Sequence, residues 1–271
     1  QINNATTLNN QNVTLSTQTF EIGADGRSRA LTQTDALTNN VTTFTYDANN
    51  QITASQTKNG TKLLSSAVYE IGMDGQSRQS ESTDALTGNK TTFTYDANNR
   101  VQTSQTTRTA DGVTTILSSA VYEVGMDGQS RQSASTDALT GNVTTFAYDP
   151  NNNQPVTSQT ANAQGVALSA AAYETGIDGQ ARQRQTTDSL TGNVTTFTYD
   201  STNHLISAST STAQGVQLST QNYMTNVDGS DRLDSTVDAL TGNRTTYTYD
   251  ANGQINNATT LNNQNVTLST Q

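Results

Sequence analysis

"TTYTYDANGQI" occupies Thr245–Ile255, and near copies stand earlier: "TTFTYDANNQI" from Thr42, "TTFTYDANNRV" from Thr91, "TTFAYDPNNNQPV" from Thr144 and "TTFTYDSTNHLI" from Thr195. The stretch decides the fold because it holds both a strand and the turn that ends it. In "VTTFTYD", Thr42, Phe44 and Tyr46 fall on one face of an extended chain, and Val41, Thr43 and Thr45 on the other. The flanking "TGN" and "ANN" or "ANG" are rich in residues that accept positive φ. Strand and turn are therefore predicted at every copy.

Spacing turns copies into an architecture. The motif tyrosines Tyr46, Tyr95, Tyr148, Tyr199 and Tyr249 are separated by 49, 53, 51 and 50 residues. A second motif keeps the same beat: "FEIGADGRSR" from Phe20, "YEIGMDGQSR" from Tyr69, "YEVGMDGQSR" from Tyr122, "YETGIDGQAR" from Tyr173 and "YMTNVDGSDR" from Tyr223. "DALT" recurs at Asp35, Asp84, Asp137 and Asp238, with "DSLT" at Asp188. Self-similarity at a fixed period marks a repeat architecture, in which each unit buries its face against the next.

From the second-motif aromatic to the following motif tyrosine is 26 residues in every copy, whereas the return stretch runs from 23 to 27. The constant half is thus pinned on both sides, and the variable half carries free hairpin tips, where insertion breaks no buried bond. Those tips are read at Asn59-Gly60, Asp111-Gly112, Gln164-Gly165 and Gln214-Gly215. A longer period lies on top: "QINNATTLNNQNVTLSTQ" stands at residues 1–18 and again, unchanged, at 254–271. The expected organisation is one continuous tandem array over residues 1–271. Its units of about 50 residues each hold two hairpins, and five units make a 253-residue super-repeat. Such a chain reads as an excerpt of a longer array.

Composition supports strands and removes several functions. Hydrophobic residues make up 31% and charged residues 13%, with Thr, Ser, Asn and Gln filling the balance. Thr, Val and Tyr suit a pleated, half-buried surface, and cross-strand pairs of such residues contribute roughly 0.2–1 kcal/mol each. The net charge of −10 leaves no basic stripe for nucleic acid or anionic lipid. Cysteine is absent, so no disulfide, thiolate or thiol-bound metal is expected. No apolar run approaches the ~20 residues of a membrane-spanning helix.

The two hairpins of each unit are versions of one pattern: aromatic, acid, tight turn, then Gln or Arg. "TTYTYDANGQI" resembles the tyrosine–aspartate (YD) repeat of bacterial rearrangement-hotspot proteins, toxin-complex shells and teneurins, whose form is roughly Y-x-Y-D-x-x-G-R-L. Tyr247, Tyr249, Asp250, Gly253 and Ile255 fit it; Arg100 fills the basic position once, Gln51 and Gln254 stand there elsewhere, and Phe44, Phe93, Phe146 and Phe197 replace the first aromatic. The resemblance covers essentially the whole chain. It implies an all-β fold of tandem antiparallel β-hairpins wound into a spiral sheet or β-solenoid, in some relatives a hollow shell.

Few side chains invite a chemical reading. The tyrosine–aspartate pairs lack the shielded cleft that acid–base work requires, and an Asp beside a tight turn ordinarily accepts backbone N–H groups. The Asp-Gly turns at Asp25, Asp74, Asp127, Asp178 and Asp228, with Glu21, Glu70, Glu123 or Glu174 nearby, suggest calcium only if stacked copies share an ion. N-x-T sequons recur at Asn40, Asn89, Asn142, Asn193 and Asn243, where Asn after a tight turn and Thr opening a strand explain the pattern without sugar. His204, the one histidine, is expected at the surface. No catalytic, cofactor or metal residue is assigned, and no enzyme activity is expected. The chain reads as a structural segment of a long extracellular or cell-surface fibre, filament or sheath of bacterial origin. Its partners are expected to be its own repeats or identical chains, head-to-tail or lateral. A toxin- or cargo-enclosing shell and an adhesin stalk are the alternatives.

Overall fold

A computed structural model describes residues 2–226, 229–250 and 252–271. The chain divides into two compact units, residues 1–141 and 142–271. Among the described residues each holds eleven strands, from Asn4–Leu8 to Ser130–Asp137 in the first and from Val143–Tyr148 to Thr267–Thr270 in the second. Within each unit every strand pairs antiparallel with the next in sequence, and no helix occurs among the described residues. The all-β, tandem-hairpin fold expected from the sequence is what forms.

The hairpins take their register from the turn residues. At the YD turns, Asp47 N donates to Gln51 O at 2.9 Å and Asn50 N to Asp47 O at 3.2 Å, with Asn50 left-handed at φ 64°. The Asp47 carboxylate then accepts from Asn49 N at 2.9 Å and Gln51 N at 2.8 Å. Asp96, Asp200 and Asp250 repeat the arrangement. At the DALT turns, Asp35 Oδ1 accepts from Leu37 N and Thr38 N, both at 2.9 Å, and Asp84, Asp137, Asp188 and Asp238 do likewise. These bonds hold the five carboxyls below their ordinary range, chiefly through the backbone N–H groups two and three residues on.

Two details differ from the sequence reading. Asn59 pairs with Lys62, so the first variable tip is Gly60-Thr61, one residue later than expected. Gly60 alone of that pair has positive φ, at 57°, the Gly-X pattern of a two-residue hairpin. Asp111-Gly112 does form the expected tip, with φ of 52° and 75°. Secondly, every motif aromatic sits beside a bulge, which strict alternation does not foresee: Thr45 faces Ala54 but Tyr46 faces Ile52, leaving Thr53 over. The same shift precedes Phe20, Tyr69, Tyr95, Tyr122, Tyr148, Tyr173, Tyr199, Tyr223 and Tyr249. A bulge strengthens local twist and re-aims the side chain beside it.

There is almost no apolar core. Besides four turn glycines, Ala208, Ser55 and Ser235 are the buried residues among those described. Phe44 and Tyr46 are half-buried while Thr43 and Thr45 are exposed, so one face is better covered than the other. Cohesion comes from the backbone ladder and from polar rungs. Facing threonines bond at 2.8–2.9 Å in all five copies: Thr42 with Thr57, Thr91 with Thr106, Thr144 with Thr160, Thr195 with Thr210, and Thr245 with Thr260.

Candidate functional site

Turns on one edge of the sheet are clasped to the next turn but one in sequence, and this repeated clasp is the most elaborate side-chain cluster in the chain. In its first copy the Arg29 guanidinium lies 4.3 Å over the Tyr46 ring. Arg29 Nε donates to Glu21 Oε1 at 2.9 Å and Nη1 to Asn50 Oδ1 at 2.6 Å. Asn50 Oδ1 also accepts from Ala24 N at 2.9 Å, and Tyr46 Oη donates to Ala30 O at 2.6 Å. The second copy is Arg78, Tyr95, Glu70 and Asn99; the fourth is Arg182, Tyr199, Glu174 and Asn203. Burial pushes the Tyr46, Tyr95 and Tyr199 phenols up, which keeps them protonated as donors.

The clasp explains the constant 26-residue half. Its arginine and aromatic must meet across a fixed register, so no residue is added between them; the third copy inserts one only beyond Tyr148, before its left-handed Asn153. It also explains the first glycine of "GADG" and "GMDG". A Cβ on Gly23 would lie 2.5 Å from Asn50 Oδ1, and one on Gly72 would lie 2.5 Å from Asn99 Oδ1. No real Cβ contact is that short, so only glycine admits the neighbouring Asn.

The fifth copy departs, and its departures are coupled. Asn226 stands where the others have Gly, and Gly253 stands where the others have the left-handed Asn. Gly253, at φ 76°, has no side chain to press on position 226 as Asn50 would on Gly23. Glu is replaced as well, by Met224. Arg232 keeps its stack on Tyr249 at 4.8 Å, but its Nε is buried without a hydrogen-bond partner.

The residues singled out from sequence fall as follows. The YD aspartates bond their own turn backbone, as a structural role requires. Asp25, Asp74, Asp127 and Asp178 each accept the N–H two residues on, while Asp228 lies outside the described residues. Glu21, Glu70, Glu123 and Glu174 face Arg29, Arg78, Arg131 and Arg182 instead of those aspartates. Among the described residues no three acidic or histidine side chains gather as a metal site needs. The sequon Asn40 is half-buried and its Oδ1 accepts from Asn59 Nδ2 at 2.9 Å, while Asn89 Oδ1 is buried without a partner. His204 is partly exposed, 29% by side chain, and also makes a contact that the sequence did not show. Its Nδ1 lies 2.8 Å from Asp231 Oδ1, and Asp231 Oδ2 accepts from Leu205 N at 2.8 Å, tying this turn to the next but one.

This fold has solved counterparts. Two crystal structures of TcdB2-TccC3, one with Cdc42 and one with TEV, align with 92% of this chain at 15% identity, with TM-scores of 0.50 and 0.51. A Tc holotoxin pore from Photorhabdus luminescens aligns with 99% of the chain at 14% identity and a TM-score of 0.47. The chain spans only 13% of the length of the first two matching chains. At this identity the likeness concerns the fold. No protein-family model matches the sequence, and no curated protein matches it.

Proposed function

We propose that the chain is a structural repeat segment of a long extracellular fibre, filament or sheath, with no catalytic role. The observation that carries this reading is where the chemistry goes. The motif aspartates bond turn backbone, the clasp arginines bond neighbouring turns, and both patterns recur at the 50-residue beat. Repetition this regular serves length, since each copy does for its neighbours what the last one did. Residues from Gly72 to Phe93 and their copy from Gly125 differ only at Glu81/Ala134 and Lys90/Val143, both strand positions outside the clasp.

The fold likeness to TcdB2-TccC3 favours a second reading: a wall segment of a YD-repeat shell that encloses a toxin or other cargo. Negative-stain electron microscopy of native material, with cell fractionation, separates the two. Uniform threads in the extracellular fraction support the fibre, compact ovoid capsules support the shell, and a dispersed protein that turns over a substrate overturns both.

A further inference from the structure

Two cavities beside DALT turns hold equivalent places, one in each unit. The first, of about 280 Å³, is lined by Gln33, Asp35, Asn40, Thr42 and Thr57. The second, of about 400 Å³, has Thr186, Asp188, Asn193, Thr195 and Thr210 in its lining. Each of these five stands 153 positions after its counterpart, three repeat units on. The same positions hold Ser82, Asp84, Asn89, Thr91 and Thr106 in the second copy, and Thr236, Asp238, Asn243, Thr245 and Thr260 in the fifth. Four of the five side chains never change, and the remaining one is always polar.

The turn and the ladder set these groups before any ligand arrives. Asp35 Oδ1 accepts from Leu37 N and Thr38 N, both at 2.9 Å, and Asp188 Oδ1 from Leu190 N at 2.9 Å and Thr191 N at 3.1 Å. Asn40 N donates to Thr38 Oγ1 at 3.4 Å, and Asn193 N to Thr191 Oγ1 at 3.2 Å. Thr42 bonds Thr57 at 2.9 Å, and Thr195 bonds Thr210 at 2.8 Å. Such preorganisation lowers the ordering cost of binding. It also leaves capacity to bind. A carboxylate has about four acceptor sites, a hydroxyl pairs as donor and acceptor, and an amide does both.

The wall chemistry selects the ligand. Among the described residues no cation and no aromatic lines either cavity, and Leu168 is the one large apolar side chain. The turn N–H groups hold the Asp35 and Asp188 carboxyls below their ordinary range, so both are ionised at neutral pH and repel an anion. A calcium ion takes about six to eight oxygens, several of them carboxylate, and each cavity offers one carboxylate. The volumes lie near the lower end of small-molecule sites, which run about 300–1,000 Å³. A neutral polyhydroxyl ring matches, because each of its hydroxyls donates and accepts. We propose that the DALT-turn cavity is a saccharide site that takes one ring of a neutral sugar per repeat. Ring hydroxyls donate to the Asp carboxylate and the Thr oxygens and accept from the Asn amide. This inference rests on the cavities and holds whichever assembly the chain belongs to.

The test uses the full chain and saturation-transfer NMR, which detects weak ligands. The probes are methyl α-glucoside, methyl α-mannoside and methyl β-galactoside, with a heparin tetrasaccharide as the anionic comparison and spermidine as the cationic one. At least one glycoside is expected to receive saturation, and neither comparison is. A variant carrying Thr42→Val, Thr57→Val, Thr195→Val and Thr210→Val strips the hydroxyls from two cavities in bonded pairs, so none loses its partner. With two of five equivalent pairs gone, the glycoside signal is expected to fall by about two-fifths while the urea midpoint holds. Saturation of no glycoside, equal saturation of heparin or spermidine, or an undiminished signal in the folded variant overturns the proposal. If that variant fails to fold, Asp35→Asn with Asp188→Asn decides, since Asn keeps an acceptor for the turn N–H groups and removes the charge. The same fall is expected there, and an undiminished signal overturns the proposal.

Discussion

Gly72→Ala is the most informative single change in the clasp. The new methyl would lie 2.5 Å from Asn99 Oδ1 and 2.8 Å from its Cγ. Asn99 has to swing away, losing its bonds from Met73 N at 2.9 Å and Arg78 Nη1 at 2.5 Å. A neutral hydrogen bond contributes about 1 kcal/mol and one to a charged group about 1.5–3. Replacing glycine returns about 0.4–1 kcal/mol through the unfolded chain. Because Asn99 is only half-buried, the lower part of the range applies, and the net loss is roughly 2 kcal/mol. In an Asn99→Gly background, which copies the Gly253 arrangement, the same Gly72→Ala change should cost close to nothing. Urea unfolding with site-resolved hydrogen exchange across residues 62–101 measures both legs of the cycle. A cost that is the same in the two backgrounds, or below about 0.5 kcal/mol in the parent, refutes the steric coupling.

Met224→Glu should stabilise the second unit by about 1 kcal/mol in urea melts, since it gives the buried Arg232 Nε the partner that the other copies have. Tyr95→Phe keeps the ring under Arg78 but loses the donor to Gln79 O, and should cost about 1 kcal/mol by the same assay. Acid should loosen the DALT edge. The carboxyls of Asp35, Asp84, Asp137, Asp188 and Asp238 sit below their ordinary 3.8 when folded, so their contribution is complete above that value and fades as pH falls through the lower folded values. Hydrogen exchange of Leu86 and Thr87 amides on lowering the pH should show that loss, and Asp84→Asn should flatten it.

The repeat, the strands and the turn aspartates were legible because each is a local signal: alternation, Asp at a fixed offset before a left-handed residue, and a fixed beat. The clasp is not local. Arg29, Tyr46 and Asn50 meet across two turns, and the invariant 26-residue span is a trace of the first two alone. The fifth copy held a clue in the joint exchange of Gly and Asn at 226 and 253, readable only once those positions are known to touch. His204 and Asp231 are a second such pair. The first position is Gln51 or Gln154 in other copies, and the second is Ser77 or Ala181, which contact those glutamines. The bulges had no signal, because they reflect how the two strands leave the turn and not which residues line them.

The most direct measurement is native-state hydrogen exchange along residues 2–141. If each strand is held by the strands on either side, Asn40–Tyr46, Ile52–Asn59, Lys62–Ile71 and Ser77–Asp84 should open as one unit, far more slowly than the Gly60-Thr61 tip. Hairpins that exchange independently, each with the same protection whatever its position, would show beads on a string and contradict a cohesive repeat sheet.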